Sequence, residues 1–283
     1  LMAISTPSTL WKLLCEFTTY NEERREREVW QVNIRDLQDL VDLIYEKAKA
    51  VLNTTIQDDT YAALFFVYSN EAYRHREVGN VTEISVQFVT EQDCDNAPLH
   101  SEDRWNMGPY SGVNDIITSD RNDGSSDSGM DALFSWYHRK GLGSIGEECG
   151  PVLDQDGNEL SAMEPRGYIE VLVAAALAAR QLQQEGSLTL LTHKTLPIIV
   201  VGMEDYPLSW LATVLANPGQ EDKDYAIYIR KELIESRKGY SETKYTRYYD
   251  ELLGYLDRIR SPQYLEGLII NTGYAVLDLS GIR

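Results

Sequence analysis

Basic residues are scarce in this chain, and their shortage is its most informative feature. The 283 residues include 26 Lys and Arg against 45 Asp and Glu, which gives a net charge of −19 at pH 7. Nucleic acids and anionic membranes are bound mainly through Lys and Arg close to phosphates, so we expect neither as a partner. This charge favours a basic protein as partner, and simple solubility is the alternative explanation.

Cysteines are also few, and they are widely spaced. Cys15, Cys94 and Cys149 contain no CxxC pair, and an odd number cannot complete a disulfide framework. This usage fits a reducing compartment. The opening residues lack the basic start and long apolar run of a secretory signal, so we expect a cytoplasmic protein. The most apolar stretch, residues 171–179, is too short to span a bilayer.

Signatures of catalysis and of cofactor binding are missing as well. The four His residues have no His or Cys partner at a zinc spacing, and the chain lacks HExxH, GxSxG and a Walker loop. Residues 141–146 read GxGxxG, but no βαβ pattern surrounds them. The aspartates of residues 119–129 do not follow the EF-hand order. We therefore predict no metal, no cofactor and no catalytic residue.

Hydrophobic periodicity predicts both helices and strands. Helical spacing predicts a helix over residues 33–52, with Asn33 as its N-cap. Residues 61–68 are apolar on both faces, which predicts a central strand, and residues 196–203 are rich in β-branched residues, which predicts a second one. Residues 81–90 form the predicted antiparallel partner of the first. Further predicted elements are helices over 130–140, 168–184, 210–216, 226–236 and 242–259, and a terminal hairpin over 265–279.

This pattern predicts an α+β fold with a mixed, largely antiparallel sheet and packed helices. The sheet would contain the strands near Tyr61, Val81, Leu196 and Leu268. Residues 1–32 are predicted to form an N-terminal helical extension. Residues 33–283 are predicted to form a single domain that includes an acidic loop at about 91–131.

The acidic loop is the segment that differs most from the rest of the chain. Residues 91–131 contain ten acidic residues and two basic ones, and residues 119–129 read SDRNDGSSDSG. Long loops in compact domains are usually either functional or disordered, and the sequence leaves both interpretations open.

Two stretches of the chain resemble a known group of proteins. The first holds Arg104-Trp105-Asn106 and Tyr110. The second runs from residue 193 through Glu204-Asp205 to Trp210-Leu211 and the Leu-Ala-Asn-Pro of residues 215–218. Together they resemble uncharacterised bacterial domains found among the immunity proteins of polymorphic toxin systems, over about residues 37–218. The resemblance implies a cytoplasmic α+β protein that binds and blocks a cognate toxin.

Our leading hypothesis is therefore an immunity-type protein, not an enzyme, whose acidic surface binds a basic toxin. Acidic patches steer association with basic partners, and aromatic anchors supply binding energy. The candidate contacts are Asp93, Asp95, Glu102, Asp103, Asp120, Asp123 and Asp127, with Trp105 and Tyr110 as anchors.

Two other functions stay open. Glu204 and Asp205 directly follow a predicted strand, where open α/β sheets place ligand groups, so a carboxylate-containing cleft could make the protein an enzyme. A scaffold or regulatory module without an inhibited target is the third hypothesis.

Overall fold

The computed structural model describes residues 30–55, 59–71, 80–99, 101–105, 115–118, 131–133, 135–136, 139, 148–149, 164–165, 168–192, 195–202, 206–220, 223–239, 241, 250, 253, 269–271 and 275–278. Their contacts divide the chain into two compact units. One unit comprises residues 39–149 and 164–231, and the other comprises residues 1–38, 150–163 and 232–283.

A four-stranded sheet organises the unit of residues 39–149 and 164–231. Strand β2 (Thr60–Glu71) pairs antiparallel with β3 (Asn80–Thr90), and β3 pairs antiparallel with β4 (Asp115–Thr118). On its other side β2 pairs parallel with β7 (Ile198–Gly202), so the order is β4-β3-β2-β7. The predicted α+β class, with a mixed and largely antiparallel sheet, is confirmed, and so is the predicted antiparallel pair.

Helices bury their apolar side chains in the core of this unit. Helix α1 (Ile34–Thr55) begins directly after Asn33, as predicted, and its Leu40, Ile44 and Leu52 are buried. Helix α2 (Glu102–Trp105) has four residues, and the described residues 131–133, 135–136 and 139 are helical, as predicted. Helix α3 (Tyr168–Gln184) packs on β2 and β7.

Shorter elements also belong to this unit, and the last of them, α6, continues beyond residue 231. Strands β5 (Glu148–Cys149) and β6 (Glu164–Pro165) form a two-stranded antiparallel ladder. Helix α4 (Ser187–Thr192) follows α3 after Gly186, whose φ of 69° ends α3 as the sequence predicts. Two further helices are α5 (Tyr206–Ala216) and α6 (Asp224–Lys238).

Among the described strands, β7 lies at the edge of its sheet, which corrects the prediction that it is central. Three polar side chains on or just after α5 each form hydrogen bonds with one residue on the outer edge of β7. The pairs are Ser209 with Gly202, Thr213 with Val200, and Asn217 with Ile198. In each pair the strand N–H donates to the side-chain oxygen, over 2.7, 2.9 and 2.8 Å respectively. Each side chain also donates to the carbonyl of the same strand residue, over 3.0, 3.2 and 2.7 Å. We call these contacts the edge ladder.

The edge ladder forms because the two-residue repeat of a strand is nearly as long as the four-residue repeat of a helix. Two residues of a strand advance about 6.6 Å, and four residues of a helix advance about 6.0 Å. Every outward-facing backbone pair of β7 therefore meets a side chain from the next turn of α5. An edge strand covered in this way is buried like a central one, which explains why its apolar sequence suggested a central position.

Gly202 lets α3 and α5 approach the end of β7. A Cβ atom at this position would lie 2.5 Å from the Tyr168 hydroxyl oxygen and 3.0 Å from the Ser209 hydroxyl oxygen. The Tyr168 hydroxyl also donates to the carbonyl of Val67 over 3.3 Å. The absence of a side chain at Gly202 therefore permits both helices to contact the strand.

A polar cluster joins α1 to the residue that follows α3. The Tyr45 hydroxyl donates to Glu185 Oε2 over 2.5 Å, and Lys49 Nζ donates both to that hydroxyl and to Glu185 Oε2, the latter over 3.1 Å. The hydrogen bond from Tyr45 is the main cause that lowers the pKa of Glu185. The hydrogen bond to Glu185 raises the pKa of Tyr45. The hydrogen bond from Lys49 to Tyr45 raises the pKa of Lys49.

The unit of residues 1–38, 150–163 and 232–283 contains a separate three-stranded sheet. Strand β1 (Trp30–Asn33) pairs parallel with β9 (Ala275–Asp278), which pairs antiparallel with β8 (Ile269–Asn271). The predicted terminal hairpin is confirmed.

This small sheet also corrects two predictions. The strand near Leu268 is β8, which pairs with β9 in this sheet and does not belong to the main sheet. Residues 30–32 of the predicted helical extension form a strand, because they pair with residues 275–277 of β9. Residues 1–29 lie outside the described residues. The single domain over residues 33–283 stays a prediction.

The edge ladder predicts the effect of removing one hydroxyl. Thr213→Val keeps the side-chain shape but leaves the buried N–H and carbonyl of Val200 without this partner. We expect a loss of about 1–3 kcal/mol in the free energy of unfolding, measured with urea. The control Thr189→Val, at an exposed helix position, should change it by less than about 0.5 kcal/mol. Equal stabilities of the two variants would contradict the ladder.

The Tyr45–Lys49–Glu185 cluster predicts a dependence of stability on pH. A carboxyl group whose pKa is lowered by folding stabilises the protein above its unfolded pKa, which is about 4.3, and this contribution is lost as the pH falls through the folded pKa. The wild type should therefore be more stable than Glu185→Gln at pH 7, and the difference should close below about pH 4. Urea unfolding across pH measures this.

The control is Glu46→Gln, an exposed carboxylate on the same helix as Tyr45. A gap for Glu185→Gln that stays constant from pH 7 to pH 3 would show that the charge of Glu185 does not stabilise the fold.

Candidate functional site

The predicted acidic loop contains strand β4, and its described residues before β4 form a defined structure directly after β3. We call residues 91–99 and 101–105 the acidic knuckle. Asp93 accepts hydrogen bonds from the backbone N–H and the hydroxyl of Thr90, over 2.7 and 2.8 Å. Asp95 and Asn96 adopt φ values of 50° and 56°, a left-handed conformation that Asp and Asn tolerate better than most residues. These residue types therefore specify a tight turn.

Arg104 holds the acidic knuckle together from inside. Its side chain is only 6% exposed, and its two terminal nitrogens donate to the two carboxylate oxygens of Glu91 over 2.8 and 2.7 Å. Arg104 also donates to the carbonyl of Ala97 over 3.1 Å and stacks 4.1 Å from the ring centre of Tyr61. The bonds to Glu91 are the main cause that raises the pKa of Arg104.

Trp105 ties the knuckle to neighbouring elements. Its indole N–H donates to the carbonyl of Leu99 over 2.5 Å. Its ring meets Tyr61 edge-on at 5.6 Å and Tyr225 of α6 at 6.0 Å between centroids. Trp105 is half-buried, so the structure uses it for internal packing, and its predicted role as a partner anchor stays a prediction.

The outer surface of the knuckle is acidic with one apolar side chain. Four of the predicted contact residues are exposed: Asp93, Asp95, Glu102 and Asp103. Leu99 is 51% exposed in the same segment. Sequence reasoning did not single out Leu99 or the role of Arg104. The signal for Arg104 is that it is the one Arg or Lys among the five acidic residues of 91–105.

The other predicted site residues lie outside the described residues. They are Tyr110, Asp120, Asp123 and Asp127 of the predicted interface, together with Glu204 and Asp205 of the alternative cleft. Their predicted roles stay predictions.

A cavity of about 50 Å³ adjoins the knuckle at Trp105. Residues of β7, α5 and α6 form its other walls, and the aromatic residues that line it are Trp105, Trp210, Tyr225 and Tyr228. Ser209 and Thr213 also line it, and both hydroxyls belong to the edge ladder. No carboxylate is among the described residues that line this cavity.

Comparisons with known proteins provide no identification. No family model, no curated protein and no solved structure matches this chain. Within the described ranges, no helix is long and apolar enough to cross a membrane. Nor do three or more His, Cys, Asp or Glu side chains gather there in positions to hold a metal ion.

The internal role of Arg104 predicts the effect of removing its counter-charge. Glu91→Gln leaves a buried guanidinium without its carboxylate, so we expect a loss of about 1–3 kcal/mol in the free energy of unfolding. The control is Asp95→Asn, which removes an exposed charge and keeps a residue suited to positive φ, and it should change stability by less than about 0.5 kcal/mol. Urea unfolding of both variants measures the difference, and an unaffected Glu91→Gln protein would contradict this role.

Proposed function

We propose that this protein is an immunity-type inhibitor, which binds a basic toxin and uses the acidic knuckle as its recognition surface. The observation that carries the proposal is the construction of the knuckle. Four exposed carboxylates and the exposed Leu99 sit on a turn that Arg104 and Trp105 hold from within.

Electrostatics supports a basic partner. A net charge of −19 attracts basic proteins over distances comparable to the Debye length, which is about 8 Å at physiological salt and about 30 Å at 0.01 M. Many toxins that act on nucleic acid carry a basic groove for their substrate. An acidic surface placed in that groove would block it.

Preorganisation supports tight binding. Ordering a loop at an interface costs free energy, and a loop already held by internal contacts avoids most of that cost. The bidentate contact from Arg104 to Glu91 and the indole contact to Leu99 O fix the turn before any partner arrives. Leu99 adds one exposed apolar side chain to this acidic segment, and its burial by a partner would contribute hydrophobic binding energy.

The test begins with capture of the partner from a lysate of the source organism at low and at high salt, read by mass spectrometry. The knuckle variant combines Asp95→Asn, Glu102→Gln and Asp103→Asn. The matched control combines Asp42→Asn, Glu46→Gln and Glu235→Gln, which are exposed helix positions elsewhere. Both variants have the same net charge, so only the position of the removed charges differs.

We expect wild type and control to capture one stoichiometric basic partner at low salt. The association rate of that partner, measured by stopped flow, should fall about tenfold more in the knuckle variant than in the control. A partner that associates equally fast with both variants would exclude the knuckle as the steering surface.

Inhibition is tested separately from binding. The captured partner should be toxic when expressed alone, and co-expression of this protein should restore growth. A partner that binds but is not toxic would favour the scaffold hypothesis.

A further inference from the structure

The aromatic cavity beside the acidic knuckle has the features of a binding site for one specific chemical group. Four aromatic side chains line it, two of them tryptophans, and they come from the knuckle, α5 and α6. Aromatic faces carry a partial negative charge, so they attract cations and planar groups as well as apolar ones. The aromatic lining alone does not select among these.

Hydrogen bonding at Thr213 narrows the choice. A hydroxyl group can donate one hydrogen bond and accept two. Thr213 already donates to the carbonyl of Val200 over 3.2 Å and accepts from its N–H over 2.9 Å. Its remaining capacity in the cavity is that of an acceptor, which favours a ligand that donates hydrogen bonds.

The size of the cavity fits a small group. Its volume of about 50 Å³ corresponds to roughly three to five water-sized positions. A guanidinium group has four non-hydrogen atoms and lies flat against aromatic faces.

The aromatic cluster at the Trp105 end of the cavity already accommodates a cation. Trp105 belongs both to the cavity wall and to the knuckle, which carries four exposed carboxylates. A guanidinium already stacks on this aromatic cluster, since Arg104 lies 4.1 Å from the centre of the Tyr61 ring and 5.6 Å from that of Trp105. Glu91 matches the charge of Arg104 through two hydrogen bonds, which limits its repulsion of a second cation.

We infer that this cavity receives the guanidinium group of an arginine side chain presented by the basic partner. The inference rests on the proposed function, because the partner that presents the arginine is the proposed basic toxin. Arginine is preferred over lysine because it is planar, is more weakly hydrated and stacks better on aromatic rings.

The test uses small probes in place of the partner. N-acetyl-arginine methylamide is titrated into the full-length chain labelled with ¹⁵N at tryptophan, and the indole signals are followed by NMR. The five tryptophans give few signals, which Trp→Phe variants assign. The matching citrulline compound has the same shape without the charge, and the lysine compound has the charge without the plane.

We expect saturable shifts of the Trp105 and Trp210 signals with the arginine compound and binding at least tenfold weaker with the citrulline compound. Trp136 is buried away from the cavity lining and should not shift. Trp210→Ala should weaken arginine binding at least fivefold. Trp210→Phe should retain most of it, and serves if Trp210→Ala fails to fold.

Equal shifts with arginine and citrulline, or uniform shifts of all five indoles, would overturn the inference. Stronger binding of the lysine compound would overturn the choice of arginine. Capture of a salt-sensitive basic partner without probe binding would exclude the arginine site and leave the proposed function standing. Probe binding without any captured partner would contradict the proposed function and leave the arginine site standing.

Discussion

The described core depends on the edge ladder between α5 and β7. An uncovered strand edge would leave polar backbone groups without partners and open to pairing with another chain. Side chains from three successive turns meet the N–H and C=O groups of Ile198, Val200 and Gly202. The ladder therefore completes the sheet with a helix in place of a fifth strand.

The position of α5 also determines what lies beside the acidic knuckle. Because α5 is held against β7, Trp210 and Thr213 face the same cavity as Trp105. Arg104 orders the knuckle from its other side, through Glu91 and Tyr61. Internal polar contacts thus place an acidic turn, an exposed leucine and an aromatic cavity next to one another. That juxtaposition is what supports a role in binding a basic protein.

Local sequence patterns predicted much of the fold. They did not predict which distant segments pair with each other. The cap at Asn33, the end of α3 at Gly186 and the β2–β3 pair follow from neighbouring residues. The position of β7 does not follow from neighbouring residues, because an apolar strand covered by a helix has the same sequence pattern as a central strand. The small sheet was missed for a similar reason, since nothing in residues 30–33 indicates a partner near residue 275.

The site was predicted in part. Acidic composition pointed to the knuckle, and four of its predicted contacts are exposed. The internal packing of Trp105 was not predictable, because it depends on Tyr61 and Tyr225, which are distant in the chain. The most direct test of the account is the footprint of the captured partner by amide hydrogen exchange. We predict protection concentrated in residues 91–105 and at the start of α6. Protection confined to the exposed face of α1, with none in the knuckle, would contradict the account.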